Sequence, residues 1–475
     1  MVRTRFAPSP TGYLHVGGLR TALYAYLFAK QHNGQLVLRI EDTDQDRKVE
    51  GAIEKLIEAL EWAEISPDEG PQAGGDYGPY IQSERTDLYT KYANELLEKG
   101  HAYPCFCSKK RLDELNRIQK MQNKPPGYDG KCRSLSKEEA RQKMEAGEPY
   151  VIRQKIPADR EIVVDDIIRG KVSFDTNLLD DQILIKSDGF PTYHLANIVD
   201  DHLMEISHVI RGEEWLPSTP KHILLYEFLD WEPPKFAHLP LLLNQDRSKL
   251  SKRQGDVAVE DYREKGYLKD ALINFLALLG WNPGTDQEIF SRKELIEQFS
   301  LERVGKSGSV FDLEKLNWMN GIYIRELSID QLYNQNKSQI KSEIDWSKDE
   351  LKHILELVQD NLVTLNDINK EAVIFFKENL ELEDDAAKML KDEDTITVLK
   401  DFSTKLEELQ DFDRNKFVNI ARQVQKDTGI KGKQLWMSIR AGITGQTHGP
   451  EIHKAAEILG KERCLNRIQE ALQHA

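Results

Sequence analysis

The first 42 residues leave this chain little freedom of fold. "VRTRFA", residues 2–7, alternates Val2, Thr4 and Phe6 with Arg3 and Arg5, the two-residue period of a short strand. A turn rich in proline and glycine follows. Leu19, Leu23, Tyr26 and Leu27 then recur at helical spacing until Asn33 and Gly34 supply a stop. "QLVLRIED" reads as a second strand. Strand, tight turn, helix and strand within about 40 residues make half of a doubly wound sheet, whose ligands sit beyond the C-terminal ends of the strands.

The doubly wound pattern resumes much later. Residues 66–79 form a Pro/Gly-rich loop, and the mixed segment after it, up to about residue 190, has the look of an insertion. Beyond it "TYHLANIVDDHL" reads as helix, "EISHVIRG" as strand, "LPSTPKHILLYEFLDW" as helix, and "FAHLPLLLN" leads into a charged loop. From about residue 256 the periodicity is almost wholly helical. At 475 residues the chain exceeds one ordinary core, and roughly three to five domains are expected.

Composition narrows the function classes. Hydrophobic residues at 39% and charged residues at 31% describe a globular protein able to bury a sizeable core. No apolar run approaches a membrane span and the N-terminus lacks a signal-peptide core, so no membrane partner and a cytoplasmic location are expected. A net charge of −15 argues against indiscriminate nucleic-acid binding, so basic surfaces must be sought locally. Lysines and arginines crowd residues 109–143, where an RNA-facing surface and a solvated helix face are comparable readings. Four cysteines are no disulfide framework, yet Cys105, Cys107 and Cys132 cluster; Cys464 reads as a small buried apolar residue.

The chemistry converges on two strand ends. One brings Arg5, Ser9, His15, Gly17 and Gly18, the other Glu41, Asp42 and Asp44. A helix starting near His15 offers unpaired N–H groups to an anion, and glycines let a phosphate or a flat base approach the main chain. An arginine fork suits a carboxylate and a glutamate suits an ammonium, so the pair could hold an amino-acid zwitterion. Taken singly, each residue reads better as part of an ordinary strand-to-helix turn with surface charges. "DRSKLSKRQG", residues 246–255, adds Lys249, Lys252 and Arg253; lysines can neutralise a pyrophosphate leaving group, although a short basic loop on its own reads as simply solvated.

With "PSPTGYLHVGG" near the start and "KLSKR" about half-way, the sequence resembles the class I aminoacyl-tRNA synthetases, specifically the bacterial-type glutamyl-tRNA synthetases. "RIEDTD", "TYHLANIVDD" and "VIRGEEWLPSTPKH" extend the match across the catalytic half, and "GKQLWMSIRAGITGQTHGPE" carries it more loosely into the C-terminal half. Val16 departs conservatively from the signature's isoleucine, and Gly18 stands where other class members carry a second histidine. The resemblance implies an α/β fold: a doubly wound, Rossmann-type catalytic domain with an α+β insertion, followed by an all-α C-terminal half. The expected division is 1–100 and 191–255 for the catalytic domain and 101–190 for an inserted acceptor-end-binding domain. A stem-contact domain at 256–320 and helical anticodon-binding subdomains at 321–375 and 376–475 complete it.

The resemblance also implies roles. Glutamate is expected at Arg5, Ala7, Ser9, Glu41, Tyr193, Asn197 and Arg211; on a helix starting at Pro191, Tyr193 and Asn197 share one face. ATP, with Mg²⁺ on its phosphates, is expected over His15, Gly17 and Gly18, near Glu213, Glu214 and Trp215, with Lys249 and Lys252 closing on it. His15, Lys249 and Lys252 are the expected catalytic residues, with His15 and Lys252 mattering most in activation. The substrate α-carboxylate attacks the α-phosphorus without a protein nucleophile, and members of this family generally need tRNA bound even for that step. Similar enzymes bind structural Zn²⁺ through cysteines plus a tyrosine or histidine. Cys105, Cys107 and Cys132 with Tyr128 are the expected ligands here, Ser134 standing where some relatives place histidine; relatives without the metal also exist.

The expected partners are tRNA(Glu), ATP and L-glutamate, with a monomer as the expected state; whether tRNA(Gln) is also charged is left open. A glutaminyl enzyme usually carries "PEPNG" and a β-rich anticodon module, and a tRNA-modifying glutamyl-queuosine enzyme stops near residue 300; this chain has "PSPTG" and a long helical tail. A nucleotide-binding regulator with vestigial motifs is disfavoured by intact His15, Lys249 and Lys252.

Overall fold

A computed structural model describes residues 1–47, 49–251 and 256–474. It divides into two units, the first formed by Met1–Tyr262 with Leu272–Asp312 and the second by Arg263–Ala271 with Leu313–Ala475.

The first unit is built on strands β1 (Arg3–Phe6), β2 (Gln35–Leu38), β3 (Ala102–Cys105), β4 (Val151–Gln154), β5 (Glu161–Asp166), β6 (Gly170–Asp175), β7 (Ile183–Ile185), β8 (His208–Gly212), β9 (Lys235–Leu239), β10 (Leu242–Leu243) and β11 (Ser309–Val310). Six of them form one sheet in the order β2-β1-β8-β9-β5-β6. Its pairs are parallel except β5 with β6, the antiparallel edge. From β1 the chain winds to β2 on one side, while β8 lies on the other. The winding therefore reverses between β1 and β8, and a crevice opens at their C-terminal ends.

Helix α1 (Val16–Gln31) makes the first crossover. Val16, Leu19, Ala22, Leu23, Tyr24 and Leu27 are fully buried, and burying a leucine contributes about 1.5–3 kcal/mol, so packing fixes where the helix begins. Asn33, at φ 50°, turns the chain into β2. That strand stops at Leu38, short of the expected Asp42: the Arg39 amide makes the last bond to β1, at the Phe6 carbonyl, and the Ile40 and Glu41 amides donate to the Tyr80 and Pro8 carbonyls outside it.

Helix α2 (Tyr193–Leu203) begins two residues later than expected, Thr192 standing at its N-cap. Helix α3 (Thr219–Phe228) likewise starts late, because Glu213–Ser218 wind as 3₁₀. The segment between β2 and α2 does two things. β3, β4 and β7 make a small antiparallel sheet of their own, whereas β5 and β6 extend the main sheet. β10 and β11 pair with each other, so a short strand, β11, stands in the stretch after residue 256 that was expected to be almost wholly helical.

The second unit is helical among its described residues. Its core includes Leu332, Phe375, Phe402, Phe417, Ile439 and Leu459. Cys464 is fully buried there, as expected of a small apolar residue.

Candidate active site

The crevice between β1 and β8 opens into a cavity of about 1060 Å³. Of the residues expected to hold an amino acid, Arg5, Ala7, Ser9, Glu41, Tyr193 and Arg211 line it. Of those expected at the nucleotide, His15, Gly17, Gly18, Glu214, Trp215 and Lys249 line the same cavity. Asn197 shares the face of α2 with Tyr193 but is not in the lining: it is 1% exposed, and its amide nitrogen has no partner among the described residues. Lys252 and Arg253 lie outside the described residues.

His15 is the N-cap of α1, with extended backbone (φ −72°, ψ 142°), and its Nδ1 accepts from the Gly17 amide at 2.9 Å. The ring proton is thereby placed on Nε2. A Cβ on Gly17 would sit 3.1 Å from the His15 ring, and one on Gly18 would sit 2.9 Å from Leu14 Cδ1. The helix start is compact because this cap and these glycines close on one another.

Two expected acidic residues take other work. Asp42 accepts from the Ser83 amide and hydroxyl, both at 2.8 Å, and does not line the cavity, whereas Asp44 does. Glu213 accepts from the Leu241 amide at 2.9 Å and is likewise absent from the lining.

Behind Arg5 and Glu41 lies a buried ion cluster. Arg39, fully buried, donates to Glu41 at 2.9 Å and to Asp201 at 2.7 Å, and reaches Asp200 at 3.8 Å. Arg5 donates to Asp201 at 3.1 Å, and Arg85 to Asp200 at 2.7 Å. Burial pushes the Glu41 carboxyl above its ordinary value against the pull of Arg39 and Arg5. Burial acts the same way on Asp201, but there Arg5 and Arg39 win and the carboxyl is held low. Sequence reasoning assigned no role to Arg39, Asp200 or Asp201. One signal was available: Tyr193, Asn197 and Asp201 recur every four residues, so all three share one helix face.

Arg211 has a different environment. Its Nε donates to His238 Nε2 at 3.1 Å and one amino group donates to Tyr193 Oη at 3.0 Å. The other donates to Thr219 Oγ1 at 2.9 Å and faces His222 Nδ1 at 3.4 Å. All these acceptors are uncharged, and no carboxylate pairs with Arg211 among the described residues. The guanidinium has five N–H groups, so one is left for a ligand in the cavity. Burial keeps His222 well below its ordinary value and lowers His194, its neighbour at 3.0 Å, to about 4. Burial also raises Tyr193, whose ring lies 4.1 Å from that of Trp215. A cationic fork, an anionic Glu41 and an apolar ring pair in one hollow suit a small molecule bearing both carboxylate and ammonium groups.

The expected metal cluster also assembles. The sulfurs of Cys105, Cys107 and Cys132 lie within 4.8 Å of one another, Cys107 and Cys132 at 3.6 Å. Tyr128 Oη is 3.3 Å from the Cys105 sulfur and 3.8 Å from that of Cys107. Tetrahedral ligands at Zn–S distances of about 2.3 Å stand roughly 3.8 Å apart, so three thiols and a phenol at these separations fit such an ion. Arg111 donates to Cys107 at 3.5 Å, and the Arg153 guanidinium stacks 3.9 Å from the Tyr128 ring centre.

Residues 1–318 match the model of the class I tRNA synthetase (E and Q) catalytic domain, and residues 329–472 match that of an anticodon binding domain. The chain is 50% identical to the glutamate–tRNA ligase of Alkaliphilus metalliredigens, over 100% of this chain and 99% of that protein. It is 48% identical to that of Clostridioides difficile, over 98% of each. Among solved structures, the glutamate tRNA ligase of Elizabethkingia meningosepticum, in complex with its amino acid, superposes with a TM-score of 0.93 at 39% identity over 99% of both chains.

Proposed function

Because the chain belongs to the class I tRNA synthetases of the glutamate and glutamine type, we propose that the cavity between β1 and β8 activates L-glutamate with ATP and passes it to the 3′ end of tRNA(Glu). The activity is that of a glutamate–tRNA ligase, and the substrates are an amino acid, ATP and tRNA. The observation that carries the assignment of residues is the single cavity shared by Arg5, Glu41, Tyr193 and Arg211 with His15, Gly17, Gly18 and Lys249.

In this reading Arg211 and Tyr193 take the side-chain carboxylate of glutamate, and Glu41 takes its ammonium. Ala7 and Ser9 offer backbone and hydroxyl groups, and the buried Asn197 amide supplies a further donor. Adenine and phosphates lie over the start of α1, where Gly17 and Gly18 admit close approach. Mg²⁺ carried on the ATP phosphates would neutralise part of their charge. An α-carboxylate oxygen attacks the α-phosphorus and the bond to the pyrophosphate oxygen breaks. The protein's share is alignment and compensation of the developing charge by His15, Lys249 and Lys252. The 3′-terminal ribose hydroxyl then takes the glutamyl group from AMP. Structural Zn²⁺ would be held by Cys105, Cys107, Cys132 and Tyr128, stapling the segment around β3 and β4.

Aminoacylation of purified glutamate and glutamine tRNAs, with each amino acid in turn, tests the reading. Glutamate attached to tRNA(Glu) is the expected product, and glutamine attached in preference to glutamate overturns it. Glutamate on both tRNAs marks relaxed tRNA choice.

A further inference from the structure

Arg211 is a buried guanidinium of the cavity that meets only uncharged acceptors, and the nearest anion in its hydrogen-bond network reaches it through an imidazole. Asp166, at the end of β5, accepts from the Ile168 and Arg169 amides at 3.0 and 2.8 Å through Oδ1. Its Oδ2 accepts from the His238 amide at 3.1 Å and faces His238 Nδ1 at 2.6 Å. Asp166 is 2% exposed, and burial raises its carboxyl less than His238 and these amides lower it, so it is an acceptor only. His238 Nδ1 must therefore carry the proton, leaving the Nε2 lone pair for Arg211 Nε at 3.1 Å. His238 is fully buried, and no solvent can exchange that role. We infer that Asp166 fixes the tautomer of His238, and that His238 in turn holds the Arg211 fork in register for the substrate's side-chain carboxylate.

This makes His238 and Asp166 positioning residues for the choice of amino acid, and it rests on the role given to Arg211 above. The interposed imidazole has a chemical consequence. A carboxylate placed directly on Arg211 would compete with the ligand, whereas a neutral acceptor orients the fork and leaves its charge for the substrate. Asp166 belongs to the stretch between β2 and α2, so that stretch reaches the amino-acid pocket through the sheet as β5 pairs with β9.

The experiment is steady-state aminoacylation of tRNA(Glu) by the full chain, with glutamate and ATP varied separately. His238→Leu removes the acceptor and should lower kcat/KM for glutamate about 10- to 100-fold while the KM for ATP moves less than about twofold, the scale of a lost hydrogen bond to a charged group. His238→Gln keeps an acceptor oxygen near the Nε2 position and should recover most of that loss. Asp166→Asn should impair the wild type but add little in the His238→Gln background, where no tautomer remains to be set. An unchanged kcat/KM for glutamate in His238→Leu overturns the inference, as does equal impairment by leucine and glutamine. If His238→Leu does not fold, a full further loss on adding Asp166→Asn to His238→Gln overturns it equally. Arg211→Leu separates the two readings: if it leaves glutamate use intact, the function assigned to Arg211 fails; if it abolishes glutamate use while His238→Leu does nothing, only the positioning role fails.

Discussion

Replacing Arg39 with methionine tests the buried ion cluster in a way that falls on one residue. Without Arg39, Asp201 keeps Arg5 at 3.1 Å and Asp200 keeps Arg85 at 2.7 Å. Glu41 has no other ion-pair partner among the described residues. Stranding one member of a buried pair costs about 3–5 kcal/mol, unless the group takes up a proton. Protonating at pH 7 a carboxyl whose unfolded pKa is about 4.3 costs about 3.7 kcal/mol, and because Glu41 already lies above that value in the wild type the loss should stay below about 3.7 kcal/mol. Differential scanning calorimetry against wild type at each pH gives the measurement. Glu41 is already raised above its ordinary value by burial, and in the variant it rises further. Between the unfolded and folded pKa values the folded state binds the extra proton, so the deficit is fully present above the folded value and shrinks as pH falls toward the unfolded one. Adding Glu41→Gln should restore about 1–3 kcal/mol at pH 7, because it removes the stranded charge. An unaltered melting temperature, a deficit that grows on acidification, or a further loss in the double variant would each refute the reasoning.

Lys249→Ala should lower kcat about 10- to 1000-fold with little change in the KM for glutamate, since its charge is needed at the phosphates; a change confined to the glutamate KM would remove it from that role. Elemental analysis of purified chain should find one zinc per molecule, lost in Cys105→Ser and Cys132→Ser variants, and a metal-free chain with unaltered stability would contradict the site. Leu23→Ala, at a fully buried position of α1, should cost about 2–5 kcal/mol, read as a lowered melting temperature; a melt equal to wild type would show that α1 is not anchored there.

The opening of the chain was legible because its signals are local. His15, Gly17 and Gly18 cap and start a helix whose apolar spacing is plain, and Arg5 lies at the end of a strand with a clear two-residue period. Lys249, Tyr193 and Arg211 followed from motifs that the resemblance supplied. What escaped was held by partners far apart in sequence. Arg39 joins Asp201 across 162 residues and His238 joins Asp166 across 72, and nothing in either neighbourhood announces the pairing. The extension of the main sheet by β5 and β6 escaped for the same reason, because β5 meets its parallel neighbour β9 about 70 residues downstream. β2 was drawn too long since the run "QLVLRIED" cannot reveal that the Ile40 and Glu41 amides leave β1 for the Tyr80 and Pro8 carbonyls. Asp42 and Glu213 carry the charge expected of site residues, but backbone amides of Ser83 and Leu241 claim them.

The most direct test is a crystal structure of the chain with a non-hydrolysable glutamyl-adenylate analogue. The side-chain carboxylate should lie on Arg211 and Tyr193, the ammonium on Glu41, and the adenosine against Gly17 and Gly18 beside His15. An analogue bound with its carboxylate away from Arg211, or outside the cavity between β1 and β8, would contradict the account.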